Sequence, residues 1–325
     1  MIAIGLDGTE GGFGMGTGRG FGKVILINEH FVVHGIPSLV SAIGSSTTAR
    51  IEPYDGRGWT LEDLRPETPG YKKEKHDQQR DSVGRVLRAA GVDASERPMR
   101  IVFEGDLLAA SGVGASAASC AALARALSDY FGLGFSDQRI NELAYEGEKA
   151  YHGNPSGVDN TAATYGGLIW FKRGSPDTIE RLRLPRSVEV VMGNTGIVAN
   201  TKAAVDGVRK RMEKEPSKYG RIFGDAEQLA SSARRAVEAN DLKALGRAMS
   251  ANHALLQEIE VSCAELDLLV KRAAGAGALG AKMTGGGLGG YMVALTPGKE
   301  LQERVAKAIE SEGFYALRTT IGVVR

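Results

Sequence analysis

Apolar residues along this 325-residue chain recur with two spacings, and the spacing changes many times between its two ends. Short apolar or β-branched runs predict strands at 23–28, 46–54, 99–104, 167–172, 188–192, 291–295 and 316–323. Helical spacing predicts helices at 82–90, 115–130, 136–152, 158–165, 226–239, 242–259, 263–274 and 300–311. Because helices and strands mix without a strict βαβα alternation, the pattern predicts an α+β protein.

Several segments lack a clear period. Residues 72–80 carry many charges, and we interpret them as a solvated face ahead of the helix at 82–90. Residues 275–290 are rich in glycine and are expected to form loops, whereas the glycines among the first 20 residues indicate a flexible tail or an irregular strand. The stretch 184–186 predicts a boundary between two lobes.

Composition narrows the classes of protein to consider. Hydrophobic residues make up 42% of the chain, enough to fill the cores of two lobes. The net charge is +1, which does not favour nucleic acid as a partner. The two cysteines suit a reducing compartment, and no apolar stretch or leader pattern indicates a membrane or secretion. We therefore expect a cytoplasmic protein with no nucleic-acid or membrane partner.

A small-residue loop at 107–114 runs directly into the helix predicted at 115–130. Gly112 and Gly114 let backbone N–H groups turn inward, and the helix start offers more N–H groups and its positive dipole end to an anion. An ordinary turn before a helix has the same composition, so the loop alone does not decide. No set of glycines in the N-terminal segment 5–22 has the G-x-G-x-x-G spacing, and neither Gly-Lys pair, at 22–23 or at 298–299, completes a Walker pattern. Both findings argue against a dehydrogenase or a P-loop NTPase.

Four polar residues in separate segments have complementary chemistry. Lys23 begins a predicted strand, and Ser116 lies at the start of the helix after the loop. Glu148 lies near the end of another helix, and Asp159 follows a Pro-Ser-Gly turn. Each alone has an ordinary structural explanation, such as a helix cap or a solvated side chain. Together they supply a phosphate cradle, oxygen ligands for magnesium, a cation and a carboxylate, which phosphoryl transfer from ATP requires.

The segment 152–160, which reads HGNPSGVDN, is the most specific motif in the chain. With the KVIL run at 23–26, the Glu29-His30 pair and the segment KMTGGGLGG at 282–290, it closely resembles the GHMP kinases over nearly the whole chain. Within that family the chain is most similar to the branch that phosphorylates mevalonate. The segments PGYKKEK at 69–75 and VSCAELD at 261–267 resemble the trypanosomatid type of that branch.

The resemblance implies a fold and a domain division. The fold would be the two-lobed GHMP kinase fold, with a mixed sheet in the N-terminal lobe and a ferredoxin-like C-terminal lobe. The N-terminal domain, with the ATP and substrate site, would cover 1–185, and the C-terminal domain would cover 186–325. A homodimer is also implied.

The same resemblance assigns roles to matching residues. Asp159 would accept or orient the proton of the acceptor hydroxyl, while Lys23 would keep that carboxylate ionised and offset charge on the γ-phosphoryl group. Ser116 and Glu148 would hold Mg²⁺. The phosphates of ATP would lie against the backbone of Ser111, Gly112, Val113, Gly114, Ala115, Ser116 and Ala117. The substrate, mevalonate, would contact Glu29, His30, Thr201, Gly285 and Gly286.

Five positions depart from the family pattern. Ala109 and Ala110 replace a usual proline-bearing approach to the small-residue loop. Phe21 and Asn28 stand where proline and glycine are usual, which leaves the course of the first strand and its corner open. Ala115 stands where many relatives have a serine, so one phosphate contact is lost. Because Ser116 is present, we expect the magnesium role to be kept.

Two alternatives remain open from the residues. One is a GHMP kinase acting on phosphomevalonate, a sugar or an amino alcohol. A phosphorylated substrate would require additional basic residues where Glu29 and His30 stand, which favours mevalonate. The other is a noncatalytic sensor that binds ATP and a small metabolite on the same fold. A sensor would not need the complete set of four polar residues.

Overall fold

The computed structural model describes residues 14–110, 112–199 and 201–323. Its strands are β1 Gly16–Ile27, β2 Ser38–Pro53, β3 Trp59–Asp63, β4 Met99–Glu104, β5 Leu168–Lys172, β6 Thr178–Leu182, β7 Val188–Asn194, β8 Gly280–Thr284, β9 Tyr291–Leu295 and β10 Tyr315–Ile321. Its α-helices are α1 Tyr71–Ala90, α2 Ala115–Tyr130, α3 Asp137–His152, α4 Val158–Tyr165, α5 Thr201–Lys214, α6 Pro216–Glu238, α7 Leu242–Glu258, α8 Ala264–Gly275 and α9 Lys299–Glu310.

The N-terminal half is built on a mixed sheet. The long strand β2 pairs antiparallel with β1, β4 and β5, while β3 pairs parallel with β4. Helix α2 packs closely on β1, and a Cβ at Gly20 would lie 2.1 Å from the carbonyl oxygen of Ala118. The last glycines of the N-terminal segment are therefore part of a regular strand, because only glycine lets the helix backbone come so near.

The C-terminal half has four antiparallel strands in the order β10-β7-β9-β8. Helices α5 to α8 lie between β7 and β8 in the chain, and α9 connects β9 to β10. This is the ferredoxin-like arrangement, a split βαβ pattern with additional helices in its first crossover. A single pairing, Ile321 with Ile43, joins this sheet to the N-terminal one. The α+β class, the mixed sheet and the ferredoxin-like lobe are confirmed.

Local pattern located many elements closely and missed others. The predicted bounds of α2, α4, β4 and β9 agree with the structure. The helix predicted at 82–90 begins eleven residues earlier, because α1 runs from Tyr71 to Ala90. The charged segment 72–80 is the first half of that helix, and most of its side chains are exposed or half-buried, as expected of a solvated face. The prediction of a loop-rich span at 275–290 missed β8, which lies inside that segment and is fully buried. Strands β3 and β6 and helix α5 were not predicted; β6 is a half-polar edge strand without an apolar run.

Two further points concern the predicted division of the chain. The boundary predicted at 184–186 falls between β6 and β7, where the chain leaves the first sheet and enters the second. Across the described ranges, none of the helices combines the length and apolar character needed to span a membrane.

Close packing of α7 on β8 yields a stability prediction. A Cβ at Gly280 would lie 1.9 Å from the carbonyl oxygen of Gly246, and both are backbone positions that cannot swing aside. We expect Gly280→Ala to lower the free energy of unfolding by at least about 2 kcal/mol, measured by urea denaturation. Gly220→Ala is the matched control, since Gly220 lies within α6 with open space around it. The control should raise stability by about 0.5–1 kcal/mol; similar effects of both changes would contradict the predicted clash.

Candidate active site

The small-residue loop lies directly on strand β1. The backbone N–H of Lys23 donates to the carbonyl of Val113 at 2.9 Å. A Cβ at Gly114 would lie 2.7 Å from Cγ of Lys23, and Gly114 has a φ of +70°, so both space and backbone conformation require glycine there. The loop therefore holds the buried lysine and the start of α2 against each other.

The N-terminus of α2 is suited to an anion. Gly114 is the N-cap residue of α2 and supplies no side-chain cap to the first N–H groups of the helix. The backbone of Gly112, Val113, Ala115, Ser116 and Ala117 surrounds this position. Uncapped N–H groups and the positive end of the helix dipole favour phosphate here. Ser111, also predicted to contact ATP, lies outside the described residues.

Lys23 and Asp159 form an ion pair beside this loop. Lys23 Nζ lies 3.1 Å from Asp159 Oδ1, and the lysine side chain is only 3% exposed while that of the aspartate is 28% exposed. Asp159 lies in the first turn of α4, whose N-cap is Gly157. The aspartate side chain remains partly exposed in this pair, so a ligand can reach it from its open side.

Glu148, on α3, is a buried carboxyl group with unusual surroundings. It is 1% exposed, and neither carboxyl oxygen has a hydrogen-bond partner among the described residues. Burial and, less strongly, the negative charge of Asp159 raise the pKa of Glu148 to about 8, against the opposing effects of the Ser116 hydroxyl and Lys23. A buried oxygen donor without a partner, next to a hydroxyl, is a position that a cation would stabilise.

The donor set at Glu148 fits magnesium rather than a metal held by protein alone. Within the part of the chain that the structure describes, no group of three or more acidic, histidine or cysteine side chains could hold a metal ion. Mg²⁺ commonly takes one or two protein oxygens and completes its coordination with water and substrate phosphates. Glu148 and Ser116, beside the loop suited to phosphate, satisfy that requirement.

The corner after β1 carries Glu29 and His30. Asn28 and His30 both have positive φ, at 72° and 62°. Asn28 replaces the usual family glycine at such a position because asparagine tolerates this conformation. Its side-chain amide donates to the carbonyls of Pro37 and Ala226, at 2.8 and 2.9 Å, which fixes the corner to α6.

His30 is a neutral imidazole in this site. It is buried, and its two ring nitrogens lack hydrogen-bond partners within the described ranges. Burial lowers the pKa of His30 to about 4, while the neighbouring Gly286 backbone opposes that shift. A neutral imidazole offers one donor and one acceptor, which suits a hydroxyl-bearing ligand.

The late glycine segment closes the site from the C-terminal lobe. Gly112 belongs to the small-residue loop at 107–114, the phosphate loop. A Cβ at Gly285 would lie 3.0 Å from Cα of Gly112. A Cβ at Gly286 would lie 2.1 Å from Oγ1 of Thr201, at the start of α5. The structure thus brings the predicted residues from both lobes together, with Ser111 alone outside the described ranges.

Pattern reasoning missed two features around this site. Lys282, in the middle of β8, is fully buried, and its Nζ contacts Glu29 Oε1. A lysine between apolar residues, three positions before a glycine run, was the available signal. The charged start of α1 was interpreted only as solvated, yet Lys72 and Lys75 line a small pocket together with Ser116.

Comparison with known proteins defines the class. The family model "GHMP kinases N terminal domain" matches residues 81–167, and "GHMP kinases C terminal" matches residues 233–316. The chain belongs to the GHMP kinases. Among its relatives are the mevalonate kinases of Pyrococcus horikoshii, 33% identical over 92% of this chain and 93% of the relative, and of Aeropyrum pernix, 34% identical over 89% and 91%.

A solved structure gives a close match as well. The crystal structure of L. major mevalonate kinase in complex with R-mevalonate superposes with a TM-score of 0.91. It is 38% identical, and the match covers 94% of this chain and 95% of that chain. The resemblance to the trypanosomatid type of mevalonate kinase is therefore confirmed.

The contact between Gly286 and Thr201 generates a prediction. Gly286→Ala would place a methyl group on the Thr201 hydroxyl, so the glycine segment must move away from the corner. A displacement near 1 Å at a reacting site costs about 100-fold in rate, and we expect a loss of that order in kcat/KM. Gly275→Ala is the control, because Gly275 ends α8 in open space. Steady-state kinetics with full activity in Gly286→Ala would contradict this packing.

Proposed function

We propose that the chain transfers the γ-phosphoryl group of ATP to the 5-hydroxyl of mevalonate, with Mg²⁺ as the metal. The observation that carries the proposal is the Lys23–Asp159 ion pair at 3.1 Å, placed between the phosphate loop and the Glu29-His30 corner. The similarity to mevalonate kinases over about nine-tenths of the chain supports the choice of substrate.

The nucleotide phosphates would lie on the loop before α2. Backbone N–H groups and the helix dipole would stabilise their charge without any movement of side chains. Lys23 Nζ, beside the same loop, would offset negative charge as it develops on the transferred phosphoryl group. Lys23 is part of β1 and is buried against the loop, so its ammonium is in position before the ligand binds.

Asp159 would accept the proton of the acceptor hydroxyl or orient that hydroxyl toward the phosphoryl group. The adjacent ammonium of Lys23 favours the ionised carboxylate, which is the form that accepts a hydrogen bond. Glu148 and Ser116 would hold Mg²⁺ together with the nucleotide oxygens. The metal, when bound, neutralises charge on the phosphates.

The acceptor would lie against Glu29, His30, Thr201 and the backbone of Gly285 and Gly286. Glu29 and a neutral His30 suit hydroxyl groups, whereas the carboxylate of Glu29 disfavours a phosphate group on the acceptor. This charge pattern supports mevalonate over phosphomevalonate. The complete set of Lys23, Ser116, Glu148 and Asp159, buried or half-buried around one loop, supports a catalyst over a sensor.

The domain division belongs to the same proposal. We propose units at 1–185 and 186–325, supported by two family matches that each fall within one unit. A cytoplasmic location and a homodimer stay predictions from the sequence.

The first test is turnover with purified protein. We expect ADP release that depends on mevalonate and Mg-ATP, with the 5-phosphate identified by phosphorus NMR. Galactose, homoserine and phosphomevalonate serve as parallel acceptors. Turnover with another acceptor alone would overturn the substrate, whereas no turnover with any acceptor would favour the sensor.

Asp159→Asn provides the internal control for that assay. The amide keeps the shape of the side chain but cannot take a proton, so turnover should fall by about 100- to 10,000-fold. Affinity for ATP, followed by calorimetry, should change little because the phosphate loop is untouched. Unchanged turnover in this variant would exclude Asp159 from the proposed role.

Removing the charge at Glu148 should weaken the metal site. Loss of a group that only supports a metal ligand costs about 10- to 100-fold in metal affinity, so loss of a ligand should cost at least about tenfold. We expect Glu148→Gln to raise the Mg²⁺ concentration for half-maximal activity by that factor. Glu146→Gln is the matched control, since Glu146 lies on the same helix but pairs with Lys149 at the surface. An equal Mg²⁺ requirement in both variants would contradict the assignment.

A further inference from the structure

Lys282 is a charged residue at the centre of a buried strand. Its side chain is 0% exposed, although β8 is otherwise composed of small and apolar residues and threonine. Nζ donates to Glu29 Oε1 and, at 2.7 Å, to the carbonyl of Met283. An ammonium group is rarely buried without a partner, so Lys282 can be buried here because the Glu29 carboxylate pairs with it.

Glu29 has an equally specific environment. The residue is 2% exposed, and Oε2, in contrast to Oε1, has no hydrogen-bond partner in the described ranges. Burial raises the pKa of Glu29, while Lys282 and, more weakly, Lys23 oppose the rise. The lysine thus favours the charged carboxylate and occupies one of its two oxygens. The other oxygen remains as a buried acceptor beside neutral His30.

Strand β8 holds Lys282 firmly in place. The hydroxyl of Thr284 accepts from the backbone N–H of Ile25 at 3.1 Å and lies 3.1 Å from the Ile25 carbonyl. The backbone N–H of Met283 donates to His253 Nδ1 on α7 at 3.3 Å. These contacts of the two residues after Lys282 hold β8 against β1 and α7, so the strand that carries the ammonium is fixed relative to the Glu29 corner.

We propose that Lys282 is a positioning residue for the acceptor substrate, because it holds the Glu29 carboxylate by Oε1 and leaves Oε2 to accept a hydrogen bond from an acceptor hydroxyl. The inference rests on the proposed kinase function and adds a determinant of acceptor recognition in the C-terminal lobe. An acceptor carrying a hydroxyl at this point is favoured, and one carrying a carboxylate or phosphate there is repelled. Lys282 itself touches Glu29 and backbone, not the reacting atoms.

The test separates binding of the acceptor from binding of ATP. We expect Lys282→Met to raise the KM for mevalonate by about 10- to 100-fold, the range for loss of a hydrogen bond to a charged group. The KM for ATP should change by less than about threefold, since Lys282 Nζ donates to Glu29 and to the Met283 carbonyl rather than to the phosphate loop. Lys307→Met is the matched control, because Lys307 lies on the surface of α9 with 72% of its side chain exposed. Equal changes in both KM values, or no change, would overturn the proposal.

A double-variant comparison tests whether Lys282 acts through Glu29. Glu29→Gln and Lys282→Met should each impair use of mevalonate, and the double variant should be no worse than the more impaired single variant. Effects that multiply in the double variant would show independent roles and overturn the proposal. Melting temperatures of all variants show which ones are folded.

A further double variant tests the proposal if Lys282→Met does not fold. The double variant Glu29→Gln with Lys282→Gln replaces the buried ion pair by two neutral groups that can still hydrogen-bond. Its KM for mevalonate should equal that of Glu29→Gln alone, because Lys282 has no carboxylate left to position. A further rise of about tenfold or more would overturn the proposal. Absence of turnover in the wild-type protein would instead contradict the proposed function itself.

Discussion

The contact between the phosphate loop and β1 is the constraint on which the rest of the site depends. Gly114 lies so close to Lys23 that no side chain fits between them, and the carbonyl of Val113 accepts the N–H of Lys23. This contact places the start of α2 and the lysine ammonium on the same side of the sheet. Asp159, in the first turn of α4, pairs with Lys23 on this side of the sheet.

Charge balance is the second constraint on this region. Three carboxyl groups, of Glu29, Glu148 and Asp159, are buried or half-buried near the ammonium groups of Lys23 and Lys282. Two of the carboxyl groups have an ammonium partner. Among the described residues Glu148 has no ammonium partner, and the imidazole of His152 lies 3.6 Å from its Oε2. Burial raises the pKa of Glu148 to about 8, which favours the protonated form near neutral pH. A cation that binds there replaces the proton, so the site can hold a metal without leaving an uncompensated buried charge beforehand.

Sequence reasoning was effective where the signal is local. The start of α2 follows from small residues that give way to a helical apolar pattern, and Ser136 caps α3 as its side chain suggests, accepting the N–H of Arg139. The site residues came from family motifs, and no local pattern would have brought Glu29 and Thr201 together, because 172 positions of chain separate them. Helix α5 was missed because its sequence is strongly charged, with few apolar positions to mark a buried face.

The failure at β8 has a more specific physical cause. A strand of five residues with lysine at its centre and glycines after it has neither an alternating pattern nor an apolar run. It is a strand because Glu29, 253 positions earlier, neutralises the lysine in the core. Local rules fail where a buried polar group is retained for a partner that is distant in sequence, and such places concentrate at functional sites. The glycine segment 285–290 obscured the strand pattern, and it also brings the C-terminal lobe into contact with the phosphate loop. Under the proposed function the two lobes would divide the chemistry: the N-terminal lobe would carry the phosphoryl-transfer residues, and the C-terminal lobe would act on the acceptor corner through Lys282 and the glycine segment.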